Sequence, residues 1–370
     1  MRELTPELQE ILQEQFGPRV AFDKLERLFY SHDVGSLPSL IKPLVGNTLP
    51  AGIVQPLAEE QVVELVEFAR ANDIPLVPRG HATSGYGGVV PVKGGLVVDF
   101  SWMNELISLD AEAMTVTVQP GMVWEKLEKI LHRQGLALRT YPSSAPSSTV
   151  AGWLAQGGMG FGAYEYGPFR ENVASCRVVL PDGQVREFSG DELDLISEAE
   201  GITGFITAVT VRVRPAEPEL LWGARFDSAE GLVRTLKAMQ EADLPLWSVS
   251  FINPKMAELK NQLPPHMEHG HAVEEHRPPI PQGYVAVFVA PASRRESIET
   301  QLPGLLSVGG GELVDDEVTQ HEWQERFNLM RVKRLGRASP PPRSWCRWTT
   351  WIARCRASKT ASPCPWCWKA

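Results

Sequence analysis

The sequence lacks any run of about 18 apolar residues, so no membrane span is expected. It has fewer cations than anions, 36 Lys and Arg against 45 Asp and Glu, for a net charge of −9. That balance gives no support to a nucleic-acid partner or an anionic membrane surface. No G-x-G-x-x-G follows a strand and no Walker loop occurs, which removes the motifs for a nicotinamide cofactor and for ATP. The N-terminus, Met1-Arg2-Glu3-Leu4, is acidic and amphipathic rather than a signal peptide, so a cytoplasmic protein is expected. What remains is ordinary for a folded chain: 43% hydrophobic and 22% charged residues, and 370 positions, enough for two or three domains with sizeable cores.

The chain is organised around Val77-Pro78-Arg79-Gly80-His81-Ala82-Thr83-Ser84-Gly85-Tyr86-Gly87-Gly88. An apolar strand, Ile74 to Val77, feeds into it. Its four glycines let the backbone take φ > 0 without a Cβ clash. Such a run can turn many N–H groups toward one point, and concave runs of N–H bind anions, phosphates above all. Arg79, Thr83 and Ser84 add side-chain donors. A plain connection to the next strand, Leu96 to Asp99, accounts for the same residues.

Before the loop, Thr5-Pro6-Glu7 is a helix start, and a second short helix spans Leu25 to Phe29. From Ile53 the pattern is strand, helix, strand, with Val62, Val63, Val66 and Ala69 on one face of a helix from Glu59 to Ala71. Met114 to Gln119 alternates at period two, and Val123 to Gln134 is a helix. Pro142 to Gly152 is too rich in Pro and Ser for regular structure. The irregular stretch continues through Gly157-Gly158-Met159-Gly160-Phe161-Gly162 and Tyr164-Glu165-Tyr166-Gly167 to Asn172. A loop that long, with Val150, Trp153, Leu154 and Phe161 to bury, implies function. Cys176 to Leu180 and Val185 to Phe188 form a hairpin over Asp182-Gly183. After Pro215 the order is Leu220 to Phe226 strand, Ala229 to Ala242 helix, Leu246 to Ile252 strand. Tyr284 to Ala290 strand, Ser293 to Leu306 helix and Glu312 to Val318 strand follow. Two such halves make a ferredoxin-like sandwich. A last helix is expected from His321 to Leu335.

Pro78-Arg79-Gly80-His81-Ala82-Thr83-Ser84 resembles the Pro-Arg-Gly-x-Gly-Thr-Ser pyrophosphate loop of the flavoprotein superfamily of p-cresol methylhydroxylase and vanillyl-alcohol oxidase. Ala82 replaces the second glycine. Thr149-Val150-Ala151-Gly152 is similar to the family's Thr-x-Gly-Gly. Glu200-Gly201-Ile202-Thr203-Gly204-Phe205-Ile206-Thr207 is similar to its Glu-Gly-x-x-Gly-x-Ile-Thr. The glycolate oxidase and D-lactate dehydrogenase branch is the most alike. The resemblance implies an α+β fold: an N-terminal helical arm over 1–47, a two-subdomain FAD-binding domain over 48–215, a ferredoxin-like α/β cap over 216–320, and a helix over 321–336 returning to the FAD domain.

The same resemblance implies a site. Pro78, Arg79, Gly80, His81, Ala82, Thr83, Ser84 and Gly85 belong to the pyrophosphate. Pro142, Ser143, Ser147, Thr149, Val150, Gly152, Gly157, Gly158, Tyr166 and Gly167 wrap the flavin and its ribityl chain. Glu200, Gly201, Gly204, Ile206 and Thr207 lie at the adenosine end. Some relatives attach flavin through a His opposite Ala82 rather than His81, so the FAD is expected to be non-covalent. The activity implied is hydride transfer from a 2-hydroxy acid such as glycolate or D-lactate to flavin N5, for an electron acceptor the residues do not identify. Trp323-Gln324-Glu325-Arg326 matches a Trp-x-x-Arg in which the Arg clamps the substrate carboxylate; a solvated helix Arg is the plain alternative. Tyr164 and Tyr166 line the flavin or pack in a core. The branch's His-rich Gly-Asp-Gly-Asn segment is missing, so no base is named. A catalytically incomplete flavin-binding module, or one subunit of a multi-chain oxidoreductase, is the second reading, and oligomeric state stays open.

Two segments stand apart. His266, His269, His271 and His276, with Glu268, Glu274 and Glu275, are metal-ligand types. Bounded by Pro264-Pro265 and Pro278-Pro279 they read more simply as a solvated loop, and no metal is assigned. Residues 337–370 carry seven Lys and Arg, no Asp or Glu, four of the five Cys and five of the eleven Trp. Cys346 and Cys355 lack the paired spacing of zinc ligands. Read one nucleotide back, every Trp codon yields Leu, Val or Met, and with GC-rich wobble bases the genetic code permits an acidic amphipathic sequence from Arg343 onward. A reading-frame shift, leaving a tail that does not pack, is the expectation.

Overall fold

The structure is a computed structural model and describes residues 4–35, 42–264, 266–268, 271–273 and 277–335. The tail from 337 to 370, and with it the frame-shift expectation, lies outside the described residues. Two compact units appear: Met1–Gly158 with Pro168–Pro215, and Met159–Gly167 with Ala216–Ala370.

The first unit holds two sheets. The smaller comprises β1 (Val20–Ala21), β2 (Gly52–Val54), β3 (Leu76–Arg79) and β4 (Leu96–Asp99), in the order β1-β2-β4-β3. β4 pairs in parallel with both β2 and β3. β3 is an edge strand, which is why Pro78, with no N–H to donate, is tolerated there. The helices are α1 (Pro6–Phe16), α2 (Lys24–Phe29), α3 (Lys42–Val45) and α4 (Glu59–Ala71). α4 buries Val62, Leu65, Val66 and Ala69, one face at the 3.6-residue period. Leu12 and Phe16 of α1 join them and Leu96 and Val98 in one core.

The larger sheet is antiparallel: β5 (Leu106–Asp110), β6 (Thr115–Val118), β7 (Leu136–Leu138), β8 (Val173–Val179), β9 (Val185–Ser189) and β10 (Phe205–Pro215). Its order is β5-β6-β10-β8-β9, with β7 also on β10. Two helices belong with it, α5 (Trp124–His132) and α6 (Val150–Gln156). α6 corrects the sequence reading of Pro142 to Gly152 as wholly irregular. Thr149 is its N-cap and accepts from the Gly152 amide, so the Pro/Ser run ends in a helix start.

In the second unit the described elements are α7 (Ala163–Tyr166), β11 (Glu219–Phe226), α8 (Ala229–Glu241), β12 (Ser248–Ile252), α9 (Pro254–Asn261), β13 (His266–Glu268), β14 (His271–Val273), β15 (Tyr284–Pro291), α10 (Arg295–Gly309), β16 (Glu312–Leu313) and α11 (Asp316–Gln324). The main sheet is antiparallel in the order β12-β15-β11-β16, the ferredoxin-like arrangement that the two βαβ halves imply. α8 and α10 meet through glycines: a Cβ on Gly309 would lie 2.0 Å from the Gly231 carbonyl oxygen. Tyr164 comes from the inserted nine-residue segment, yet it lies in this unit's core with Phe226, Leu236 and Phe288.

Two boundaries differ from expectation. The last strand stops at Leu313 because Asp315 and Asp316 open α11. The helix expected over His321 to Leu335 therefore ends at Gln324 and continues as 3-10 turns, Glu325–Phe327 and Leu329–Leu335. The backbones of β13 and β14 pair antiparallel, while the His and Glu side chains of the metal question lie outside the described residues. No described helix is long and apolar enough to cross a membrane.

Candidate functional site

β3 delivers the chain into the glycine-rich loop. Gly80 must lack a side chain, since a Cβ there would lie 2.5 Å from Oγ1 of Thr149. The loop and the start of α6 thus meet at this point, and residues of both line one cleft. Pro78 to Ser84 form one wall, Thr149, Gly152 and Trp153 another, and Glu200, Gly201, Gly204 and Ile206 close it.

Ala82 sits in the left-handed region at φ 52° and bends the loop. Among the described residues, the five consecutive amides of His81 to Gly85 donate to no protein acceptor. Four of them, His81 to Ser84, belong to residues that line the cleft beside Thr149 and Ser148, and amides and hydroxyls together are the donor types that a pyrophosphate requires. Among the described residues no Lys lines the cleft. Apolar lining from Phe100, Trp153 and Ile206 suits rings and sugar carbons. A dinucleotide with a diphosphate bridge fits these residues.

Several expected contacts fall elsewhere. The Arg79 guanidinium, though Arg79 lines the cleft, is bonded to the N-terminal arm. It donates to the carbonyls of His32 (3.0 Å) and Phe29 (3.4 Å) and lies 4.9 Å from the Tyr30 ring centroid. Burial lowers its pKa, with Asp99 opposing that shift. Thr207 donates to the Glu59 carboxylate. Successive strand residues face opposite sides, so Gly204 and Ile206 take the cleft and Thr207 cannot. Ser144 and Ser148 line the cleft where Ser143 and Ser147 were expected. Ser147 instead offers its carbonyl to His81 Nδ1 at 2.8 Å. Val150 is fully buried in the core. Gly85, Pro142, Gly157 and Gly158 do not line the cleft either. Residues the sequence did not flag are Asp33, which reaches the loop from the N-terminal arm, and Gln156, whose amide donates to Ser84 Oγ at 2.9 Å.

Tyr164, Tyr166, Gly167 and Arg326 belong to the second unit. Tyr164 is a core residue there. Beside Tyr166, the Glu165 carboxylate takes both terminal nitrogens of Arg294 at 2.8 Å. The Arg326 guanidinium carbon lies 4.3 Å from the Trp323 ring centroid and 4.4 Å from that of Phe327, with Nη1 on the Trp323 carbonyl. It is held flat by aromatic rings rather than waving in solvent.

Ala82 carries a testable cost. A left-handed non-glycine residue is disfavoured by about 1–2 kcal/mol, and glycine's extra unfolded-state freedom returns part of that. Ala82→Gly is expected to raise stability by roughly 0.5 kcal/mol, read as a higher urea midpoint. A lower midpoint would show that the alanine methyl packs better than its backbone is strained.

The profile of the FAD binding domain family matches residues 50–189. Among curated proteins, the glycolate oxidase subunit GlcD of Bacillus subtilis is 29% identical over 226 residues, 58% of this chain and 46% of the relative. A mitochondrial D-lactate dehydrogenase (cytochrome) of Arabidopsis thaliana is 32% identical over 222 residues, 58% of this chain and 37% of the relative. The chain thus spans less than half the length of these relatives. The solved structure of an alkyldihydroxyacetonephosphate synthase superposes with a TM-score of 0.75 at 22% identity, covering 90% of this chain and 64% of that one. Substrate-bound p-cresol methylhydroxylase superposes with a TM-score of 0.71 at 15% identity, covering 88% and 71%. Residues 50–189 are therefore an FAD binding domain, the chain has the fold of the p-cresol methylhydroxylase type, and its cofactor is FAD.

Proposed function

We propose that this chain serves an FAD-dependent oxidoreductase of the glycolate oxidase and D-lactate dehydrogenase kind, acting on a 2-hydroxy acid. The observation that carries the reading is the run of amides from His81 to Ser84 without a described protein acceptor, in a cleft that Thr149 also lines, within a domain shared with relatives bearing those names. FAD supplies the hydride acceptor. The chain supplies amides for the pyrophosphate, apolar walls that exclude water, and in Arg326 a rigid cation for the substrate carboxylate. With two aromatic rings against it, Arg326 has few rotamers to lose on binding, which favours tight orientation of a small acid.

The test is the visible spectrum of the purified protein under anaerobic conditions. The protein is expected to be yellow. Acid precipitation should release the colour, because His81 is engaged with Ser147 and, among the described residues, no other His lines the cleft. D-lactate or glycolate should bleach the flavin band. Colour retained in the pellet would reverse the non-covalent assignment, and a band that no 2-hydroxy acid bleaches would reverse the substrate class.

A further inference from the structure

The N-terminal arm is tied to the pyrophosphate loop at both of the loop's ends. At the first, Tyr30 Oη donates to Asp99 Oδ2 at 2.7 Å, and Arg79, the last residue of β3, holds the carbonyls of Phe29 and His32. Gln55 secures the same Asp99 oxygen at 2.8 Å. At the second, Asp33 Oδ2 accepts from the Gly87 amide at 2.8 Å and Oδ1 from the Gly35 amide at 2.7 Å. Between them the Val34 amide donates to the carbonyl of Ala82, the left-handed residue at the bend. The two backbones touch: a Cβ on Gly35 would lie 2.6 Å from the Gly85 oxygen.

A carboxylate on the rim of an anion-binding cleft repels the anion unless its charge is taken up. Asp33 lines the cleft, and each of its oxygens is engaged by an amide. It holds the Gly87 amide just past the row, which itself stops at Tyr86, whose amide donates to Ser84 Oγ. We infer that Tyr30 to Gly35 form a strap belonging to the FAD site, with Asp33 and Arg79 as positioning residues that hold the amides of His81 to Ser84 in the bend the pyrophosphate needs. They act through the loop, and neither is a donor to the cofactor. The inference rests on FAD binding alone and stands apart from the choice of substrate.

The experiment titrates apoprotein with FAD, following flavin fluorescence, and separately melts each apoprotein. Asp33→Ala is expected to weaken FAD about tenfold with little change in the apoprotein melt, because Asp33 is only half-buried and no core side chain is altered. Asp33→Asn keeps one amide acceptor and is expected to recover part of that loss. Arg79→Met, which keeps the stem but not the fork, is expected to weaken FAD similarly. Unchanged affinity in Asp33→Ala overturns the inference. So does a loss matched by an equal fall in apoprotein stability, or one that Asp33→Asn does not relieve. Should Asp33→Ala prove insoluble, Asp33→Asn alone decides: weaker FAD binding supports the strap, and wild-type binding refutes it.

Discussion

Gly80→Val is expected to leave the protein almost colourless. The Cβ of any residue at 80 falls 2.5 Å from Thr149 Oγ1, closer than real contacts allow. Thr149 cannot swing aside cheaply. It is 2% exposed, and that same oxygen accepts the Gly152 amide as the N-cap of α6. The loop must move instead, and its five amides move with it. Overpacking of this kind costs about 1–3 kcal/mol. If that cost falls on the bound conformation, FAD affinity drops up to about a hundredfold. Flavin content after gel filtration and a titration of apoprotein measure it. Wild-type flavin content in a folded Gly80→Val protein would mean that the loop and α6 do not bracket the cofactor.

Lys260→Met is expected to be among the most destabilising single changes in the second unit. Lys260 at the end of α9 places Nζ 2.6 and 2.5 Å from the two oxygens of Glu322 on α11, and the side chains are 8% and 5% exposed. Removing one partner leaves a carboxylate in a site built for a pair, at a cost of about 3–5 kcal/mol. Replacing both, as Lys260→Met with Glu322→Leu, should recover most of it, since an apolar pair of similar volume has no desolvation to repay. The reporter is close by: Trp323 follows Glu322 and lies 6.1 Å from Trp247, edge to face. Its fluorescence during urea unfolding gives both midpoints. A single variant that unfolds with the wild type, or a double variant no better than the single, would show that the pair is hydrated and weak. Because Arg326 stacks on that same Trp323, loss of the pair should also loosen the candidate substrate cation.

Elements with a repeating burial period were legible. α4 runs from Glu59 to Ala71 as its apolar spacing indicates, and β10 and β15 are long enough for a pattern to declare itself. Short elements were not: β7 has three residues, too few for any period, and exists because β10 offers it an edge. At the site, backbone roles were easier to read than side-chain roles. Gly80, Gly201 and Gly204 stand where a glycine signature puts them. Arg79 lines the cleft, but its hydrogen bonds to the arm's carbonyls leave no trace in the loop's own sequence. Asp33 left no local signal. Its importance comes from a hydrogen bond across 54 positions, which no window on the chain contains.

The nine residues from Met159 to Gly167 interrupt the first unit and pack in the second. On a ribosome this becomes a matter of timing. Glu165 leaves the exit tunnel 129 residues before the Arg294 that will hold it, a lag of roughly 6 to 26 s at ordinary rates of synthesis. The strands after Pro168 can meanwhile close the larger sheet, stretching the excursion out as a tethered loop. Through that interval Phe161 and Tyr164 have no core to enter. The nascent chain therefore shows a short aromatic segment flanked by glycines, the kind of sequence a holdase can grip, and its burial marks the moment at which the second unit is complete.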